Sequence, residues 1–315
     1  IALAALAVGA IWIRNIGETI REPIDALSVV LSAFGFGGVV YGLSQIGGAA
    51  AHGGTAAEQA AGAQATTTLI VSLSVGVVSL ALFAWRQIAL QTRGVPLLDL
   101  RVFRSTNFSL SVAQFGLLSV SFFGAITVIP LYMQNVLQAS AAVTGLVVLP
   151  GALLMGLAGP VVGRIYDRFG PRVLLFPGSI IASGVLWMFT TFDQDTTIWM
   201  ILIAQTALSL GLAMSFTPLF TASLASLPRR YYSYGSAVVS TTQQVGGAAG
   251  IALLVAVMSG VQTSAMESGV DELTAGAQGA HAAFLIAAIV SLTLIVGAFF
   301  IRKPDDDDAP AAVAH

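Results

Sequence analysis

The basic residues of this chain follow a strict alternation. All 13 Lys and Arg residues fall in every second gap between its long apolar runs, and the gaps in between hold six acidic residues in total and no basic one. The acidic residues of those intervening gaps are Glu58, Asp193, Asp195, Glu267, Asp271 and Glu272. Membrane proteins with several spans place Lys and Arg in their cytoplasmic loops. The pattern therefore predicts a multi-pass protein of the plasma or inner membrane, with its C-terminus in the cytoplasm.

Composition excludes several other classes. Of the 315 residues, 56% are apolar and 9% are charged, whereas about a quarter of a soluble globular domain is charged.

The formal net charge of −2 leaves no concentrated basic face for a nucleic-acid partner. The absence of cysteine excludes thiolate metal sites, and the dispersed His52, His281 and His315 make a histidine site improbable. We find no hydrolase, zinc-protease or Walker motif, so neither an enzyme nor a cofactor is expected.

The apolar runs predict eight full membrane spans, since a helix needs about 20 apolar residues to cross the hydrocarbon. They cover residues 24–46, 67–85, 108–133, 141–162, 173–192, 198–227, 234–261 and 281–301. Residues 1–13 are apolar but too short to span, at ~1.5 Å per residue. They also lack the basic start and cleavage site of a signal peptide. We interpret them as the end of a ninth span, and we expect an N-terminal half of the same chain to be missing.

The predicted spans and loops divide the chain into four parts. Residues 1–22 would hold the end of a span and a cytoplasmic loop, and residues 23–92 a transmembrane hairpin, closed by a flexible external loop at 47–65. Residues 93–303 would form a six-helix domain. It would begin with an amphipathic stretch whose arginines face anionic headgroups of the membrane lipids. Residues 304–315 would be an acidic cytoplasmic tail.

The most distinctive motif, Gly-Arg-Ile-Tyr-Asp-Arg-Phe-Gly-Pro-Arg, lies between the fourth and fifth predicted spans. Its two glycines permit a tight turn and close approach. Its aspartate is placed to form an ion pair with an arginine of the motif or of an adjoining helix, near a helix N-terminus whose dipole favours an acid. The alternative is a simple basic turn. The candidate functional residues of this motif are Gly163, Asp167, Arg168, Gly170 and Arg172.

The spacing G-x-x-x-D-R-x-G-x-R resembles the loop signature of the major facilitator superfamily, in its second-half copy. Residues 96–104, 149–152 and 243–250 are similar to the fourteen-helix drug:proton antiporter branch of that family. The resemblance implies an all-α helical bundle in which residues 24–85 are an extra helix pair and 108–301 are the C-terminal six-helix domain. It also implies that the motif is a cytoplasmic latch, formed in one access state and broken in another.

Uncharged amides inside apolar helices need a partner or water. Gln114, Gln205, Gln243 and Gln244 are therefore candidate cavity-lining residues. Together with nearby aromatic side chains they would suit hydrophobic or cationic compounds. Interhelical hydrogen bonding of the amides and lipid-facing aromatics are the alternatives. The aromatic candidates are Phe115, Phe122, Phe123, Trp187 and Phe216.

Two pairs of small residues four positions apart, Gly159/Gly163 and Gly246/Gly250, predict close helix packing. The prolines and glycines inside the spans fit helices that move against one another, although static packing explains any single one equally well.

These features predict a secondary transporter that exports small hydrophobic compounds by alternating access, with protons as the coupling ion. The predicted spans hold no carboxylate at mid-depth, so we expect the coupling acid in the missing N-terminal half. The alternatives are an uptake or lipid and metabolite carrier of the same architecture, or a non-transporting membrane scaffold.

Overall fold

The computed structural model describes residues 25–46, 56–91 and 96–301. The predictions for residues 1–22 and 304–315 lie outside this part of the chain. Every regular element in the described ranges is helical. The α-helices are α1 Ala26–Ser44, α2 Ala56–Gln91, α3 Thr106–Asn135, α4 Ala141–Phe169, α5 Arg172–Phe189, α6 Ile198–Ala225, α7 Tyr232–Glu267 and α8 Glu272–Phe300. Two 3₁₀ helices, Leu100–Arg104 and Arg229–Tyr231, precede α3 and α7.

Each of the eight predicted spans overlaps one of the eight α-helices in the described ranges, and each helix is long and apolar enough to cross a membrane. The predicted all-α, multi-pass bundle is confirmed.

Several helices are longer than the apolar runs that predicted them. Helix α2 begins at Ala56, so residues 56–65, expected as part of a flexible loop, are helical. Helix α7 continues to Glu267, and α8 begins at Glu272 rather than near residue 281. Hydropathy identifies only the part of a helix that is apolar enough to lie in the hydrocarbon. The helix itself extends further, until a residue caps its end. At α8 this residue is Asp271, whose side chain accepts a hydrogen bond from Thr274 N.

Helices α3 to α8 form one bundle. The main contacts join α3 to α7 and α8, α6 to α4 and α5, and α8 to α5 and α7. The largest fully buried side chains of its core include Tyr132, Phe108, Phe189 and Phe284. Helix α4 packs mainly on α6 and exposes Leu146, Leu153 and Leu157 along another face.

Helices α1 and α2 form the predicted hairpin. Their contact requires glycine at the closest point, because a Cβ at Gly38 would lie 2.9 Å from Gly76 Cα and 2.9 Å from Ser72 O. Helix α1 also packs against α7 of the bundle.

The two predicted small-residue pairs occupy different environments. A Cβ at Gly246 would lie 2.9 Å from Gly116 O, and one at Gly250 would clash with the backbone of Val120. These glycines therefore bring α7 against α3. In contrast, a Cβ at Gly159 or Gly163 meets no atom within 4 Å. Against the expectation, the Gly159/Gly163 pair makes no close helix contact in this structure.

Candidate functional site

The turn between α4 and α5 is shorter than the sequence motif suggested. Helix α4 continues through Gly163 to Phe169, and the chain reverses at Gly170. Gly170 has φ 80° and ψ −179°, a region that is essentially restricted to glycine. Its N–H donates to Tyr166 O at 2.7 Å. The turn therefore requires glycine at 170, whereas Gly163 is an ordinary helical position.

Arg172 connects this turn to the end of the last helix. Its Nη2 donates to Phe299 O at 2.8 Å and its Nε donates to Ile301 O at 3.1 Å. These carbonyls belong to the C-terminal end of α8, where a cation also interacts favourably with the helix dipole. The sequence motif includes Arg172 but does not predict this contact. The two acceptor carbonyls are 127 and 129 positions further along the chain, and nothing in the local sequence indicates them.

Asp167 is exposed and lies in the last turn of α4, where the dipole of its own helix disfavours an acid. The expected advantage of a helix N-terminus therefore does not apply within α4. Among the described residues, ion pairs join Arg86 to Asp25 and Arg101 to Asp99. The expected pairing of Asp167 with Arg168 or Arg172 is not formed. Arg168 instead has its guanidinium carbon 5.2 Å from the centre of the Phe169 ring.

The four candidate amides lie in different places. Gln114 is buried and its Nε2 donates to Thr293 O at 3.2 Å and Leu294 O at 3.0 Å, so it ties α3 to α8. This is the interhelical role that sequence reasoning left open. Gln205 is 1% exposed, and its Oε1 has no hydrogen-bond partner. Gln243 is half-buried and Gln244 is exposed, both on α7.

Gln205 lies where α6 meets α4. A Cβ at Gly151 of α4 would clash with Ser209 Oγ and lie 3.3 Å from Gln205 O. The side-chain amide is therefore enclosed in this structure, rather than lining an open cavity.

Four phenylalanines of α3 and α6 form one cluster. The ring centre of Phe216 lies 5.2 Å from that of Phe115, 5.6 Å from that of Phe122 and 6.5 Å from that of Phe123. Phe123 is half-buried and the other three are buried, so the cluster is packed on itself. Trp187 belongs to α5 and is 40% exposed; it has no ring contact with this cluster.

Helix α7 borders the phenylalanine cluster. A Cβ at Gly247 would lie 3.0 Å from Phe123 Cδ2. Gln243 precedes Gly247 by one helical turn and so shares its face of α7. Gln243 is thus half-buried on the face of α7 whose Gly247 borders Phe123.

A polar network that sequence reasoning missed joins the hairpin to the linker before α3. Arg86 donates to both carboxylate oxygens of Asp25, at 2.6 and 2.8 Å, and Ser28 also donates to Asp25. The buried Gln87 donates to Ser28 Oγ at 2.8 Å and accepts from Leu98 N at 3.0 Å. One sequence signal of this network is the ion pair: an acid, Asp25, stands at the start of one predicted helix, and an arginine, Arg86, stands at the end of its antiparallel neighbour.

Hydrogen bonds from Arg86 and Ser28 hold the pKa of Asp25 well below its usual range, and the bond from Arg86 has the larger effect. The carboxylate is therefore charged at neutral pH, and it stabilises the contact between the two ends of the hairpin.

The described part of the chain is a bundle of long apolar helices, each able to cross a membrane, and this defines a multi-pass membrane protein. Residues 4–251 match the model of the Major Facilitator Superfamily, and the chain belongs to that family.

Curated relatives extend the similarity along most of the chain. It is 36% identical over 308 residues to the lincomycin resistance protein LmrB of Bacillus subtilis, covering 95% of this chain and 61% of that protein. It is 37% identical over 303 residues to the MFS-type transporter YcnB of the same organism, covering 96% and 60%. A multidrug efflux pump, LfrA of Mycolicibacterium smegmatis, is 31% identical over 232 residues, covering 74% and 43%. The chain thus spans about three fifths of the length of the first two relatives.

Proposed function

We propose that the protein to which this chain belongs is a secondary transporter that exports hydrophobic, cationic drug-like compounds in exchange for protons. The observation that carries this proposal is the similarity to a lincomycin resistance protein along 95% of the chain. A relative named as a multidrug efflux pump supports the same activity.

The aromatic cluster supports a substrate of this class. Apolar and cationic compounds bind aromatic rings through burial of apolar surface and through the cation–π interaction. Phe123 is the half-buried member of the cluster, and Gln243, one helical turn before the Gly247 that borders Phe123, carries an amide that can orient a polar group. We infer that these two residues contact the substrate first as it enters between α3, α6 and α7.

Gln205 is proposed as a second polar contact. A buried amide oxygen without a partner costs about 1–3 kcal/mol, so the site gains when a donor reaches it. An amine or hydroxyl group of a substrate would supply that donor when α4 and α6 separate.

The α4–α5 turn is proposed as the gating element. Gly170 fixes its shape, Arg172 connects it to α8, and the exposed Asp167 is free of ion pairs with the described residues. We propose that Asp167 pairs with an arginine outside those residues in one access state and releases it in the other. An exposed pair is worth only ~0–1 kcal/mol, so the latch would also need partial burial in the paired state.

The charge distribution supports a cytoplasmic C-terminus. Arginines of the α4–α5 turn and of both 3₁₀ helices lie at one end of the bundle, and Asp193, Asp195 and Asp271 lie at the other. Basic residues gather on the cytoplasmic side of membrane proteins.

Efflux measurements on cells test this proposal. The complete gene, expressed in a drug-sensitive host, should lower the accumulation of a fluorescent hydrophobic cation. Asp167→Asn should raise accumulation towards that of cells without the gene, while the amount of protein in the membrane stays unchanged. The matched control is Asp195→Asn, which removes an exposed carboxylate from the opposite end and should leave efflux intact.

Equal efflux by wild type and Asp167→Asn would exclude the latch but leave drug export standing. Equal accumulation in cells with and without the wild-type gene, over a panel of hydrophobic cations, would exclude the proposed function.

A further inference from the structure

The segment that leads into α3 and the start of α7 are in contact at one end of the bundle. The ring centres of Phe103 and Phe108 are 5.7 Å apart, and a Cβ at Gly235 would lie 3.4 Å from Phe108 Cε2. In addition, Tyr234 Oη lies 3.5 Å from Pro96 O. The start of α7 is thereby held against the segment that leads into α3.

Four exposed arginines lie at this end of the bundle, two on each of the 3₁₀ helices that precede α3 and α7. They are Arg101, Arg104, Arg229 and Arg230. Among the described residues, the only carboxylate within ion-pair distance of any of them is Asp99, whose Oδ1 is 4.0 Å from Arg101 Nε. Asp99 is buried and already accepts from Arg101 N at 2.9 Å. The group therefore carries a net positive charge.

Apolar side chains are exposed beside these arginines. Leu97 is 39% exposed, Phe103 is 44% exposed and Tyr232 is 40% exposed. Each 3₁₀ helix directly precedes a membrane-spanning helix, so this group lies at the boundary between hydrocarbon and water. Cations next to exposed apolar side chains at that depth are typical of segments that bind the membrane interface.

We propose that these arginines and apolar side chains form a binding surface for the headgroup of an anionic phospholipid. Guanidinium groups bind phosphate oxygens through paired, charge-assisted hydrogen bonds. Leu97 and Phe103 would contact the upper acyl chain, which a free phosphate ion lacks. The occupant is therefore a lipid, and not a soluble anion.

The same surface lies next to the junction between hairpin and bundle. Arg101 Nη2 lies 3.4 Å from Gln91 O at the end of α2, and Leu98 N donates to Gln87 of α2 at 3.0 Å. A headgroup held by both 3₁₀ helices would restrain the linker that connects α2 to α3. Lipid binding should therefore stabilise the docking of the hairpin.

Native mass spectrometry of the full chain in detergent tests this proposal, with phosphatidylglycerol and phosphatidylcholine titrated in parallel. Phosphatidylglycerol should be retained preferentially. The double variant R104Q/R230Q should weaken its retention about tenfold or more, because each basic residue near an anionic surface contributes on the order of 1 kcal/mol. The matched control, R164Q/R168Q, removes two arginines from the α4–α5 side and should change retention much less.

Circular dichroism and gel filtration would establish that each variant is folded. Equal loss of retention in the two double variants would overturn the assignment, because it would indicate a general effect of charge. Equal thermal stabilisation by inorganic phosphate and phosphatidylglycerol would also overturn it. Phe103→Ser separates the two ligands further, since it should weaken retention of the lipid while the response to inorganic phosphate is unchanged.

Discussion

At the scale of single residues, the environment of a side chain distinguishes positions that look alike in sequence. Gln114 and Gln205 are both amides in apolar helices, and both are buried. Gln114 binds two carbonyls of α8, whereas Oε1 of Gln205 has no partner. Their roles were indistinguishable from the sequence, because the partner of an amide depends on the neighbouring helix and not on its own helix.

Substitution of the two glutamines by leucine should have opposite effects on stability. Gln205→Leu removes an unsatisfied oxygen and should raise the free energy of unfolding by about 1 kcal/mol. Gln114→Leu removes two interhelical hydrogen bonds and should lower it by about 1 kcal/mol. Thermal denaturation of the purified variants measures both changes.

Efflux assays complete this comparison. If Gln205 contacts substrate, Gln205→Leu should reduce export of compounds that carry hydrogen-bond donors more than export of compounds without them. An equal effect on both sets of compounds would remove Gln205 from the substrate site.

At the scale of helices, the apolar runs predicted how many spans there are but not where the helices end. The first eleven residues of α2 and the first nine of α8 fell outside the predicted spans, because alanine, glutamine and glutamate favour helix without being strongly apolar. The small-residue pairs show a similar limit. A Cβ at Gly250 would clash with α3, whereas a Cβ at Gly159 would meet no atom within 4 Å, although both glycines belong to the same sequence pattern.

Two glycines of α7 provide a direct test of the α3–α7 contact. A methyl group at Gly250 would clash with the backbone of Val120, so Gly250→Ala should destabilise the chain by about 1–3 kcal/mol. Gly260 has open space, and Gly260→Ala should be neutral or slightly stabilising because alanine favours helix. Thermal denaturation in one detergent compares them. Equal unfolding temperatures for the two variants would contradict the close approach of α3 and α7.

At the scale of the whole molecule, the hairpin is attached to the bundle at two places. Helix α1 packs on α7, and the network of Asp25, Arg86, Ser28 and Gln87 reaches the backbone of Leu98. The sequence indicated an extra helix pair and a basic linker. The sequence did not indicate this network. The network's partners across the hairpin are 59–61 residues apart in the chain, and they meet only because α1 and α2 pair in an antiparallel arrangement.

The Asp25–Arg86 pair predicts a specific dependence of stability on pH. Because folding lowers the pKa of Asp25, its contribution is complete above the ordinary aspartate range and is lost as the pH falls below about 4. Asp25→Asn should therefore be less stable than wild type at neutral pH, and the difference should shrink in acid. Hydrogen exchange of the hairpin amides measures it. A difference that is the same at every pH would contradict the ion pair, and Asp195→Asn serves as the control.

Reconstitution tests the central claim, drug export driven by proton exchange, most directly. The purified product of the complete gene would be placed in liposomes, and transport of a fluorescent hydrophobic cation would be followed with and without an imposed pH gradient. We predict that the dye moves against its concentration gradient only while the pH gradient persists, and that a protonophore stops it. Dye movement that is unaffected by collapse of the gradient would contradict proton-coupled export.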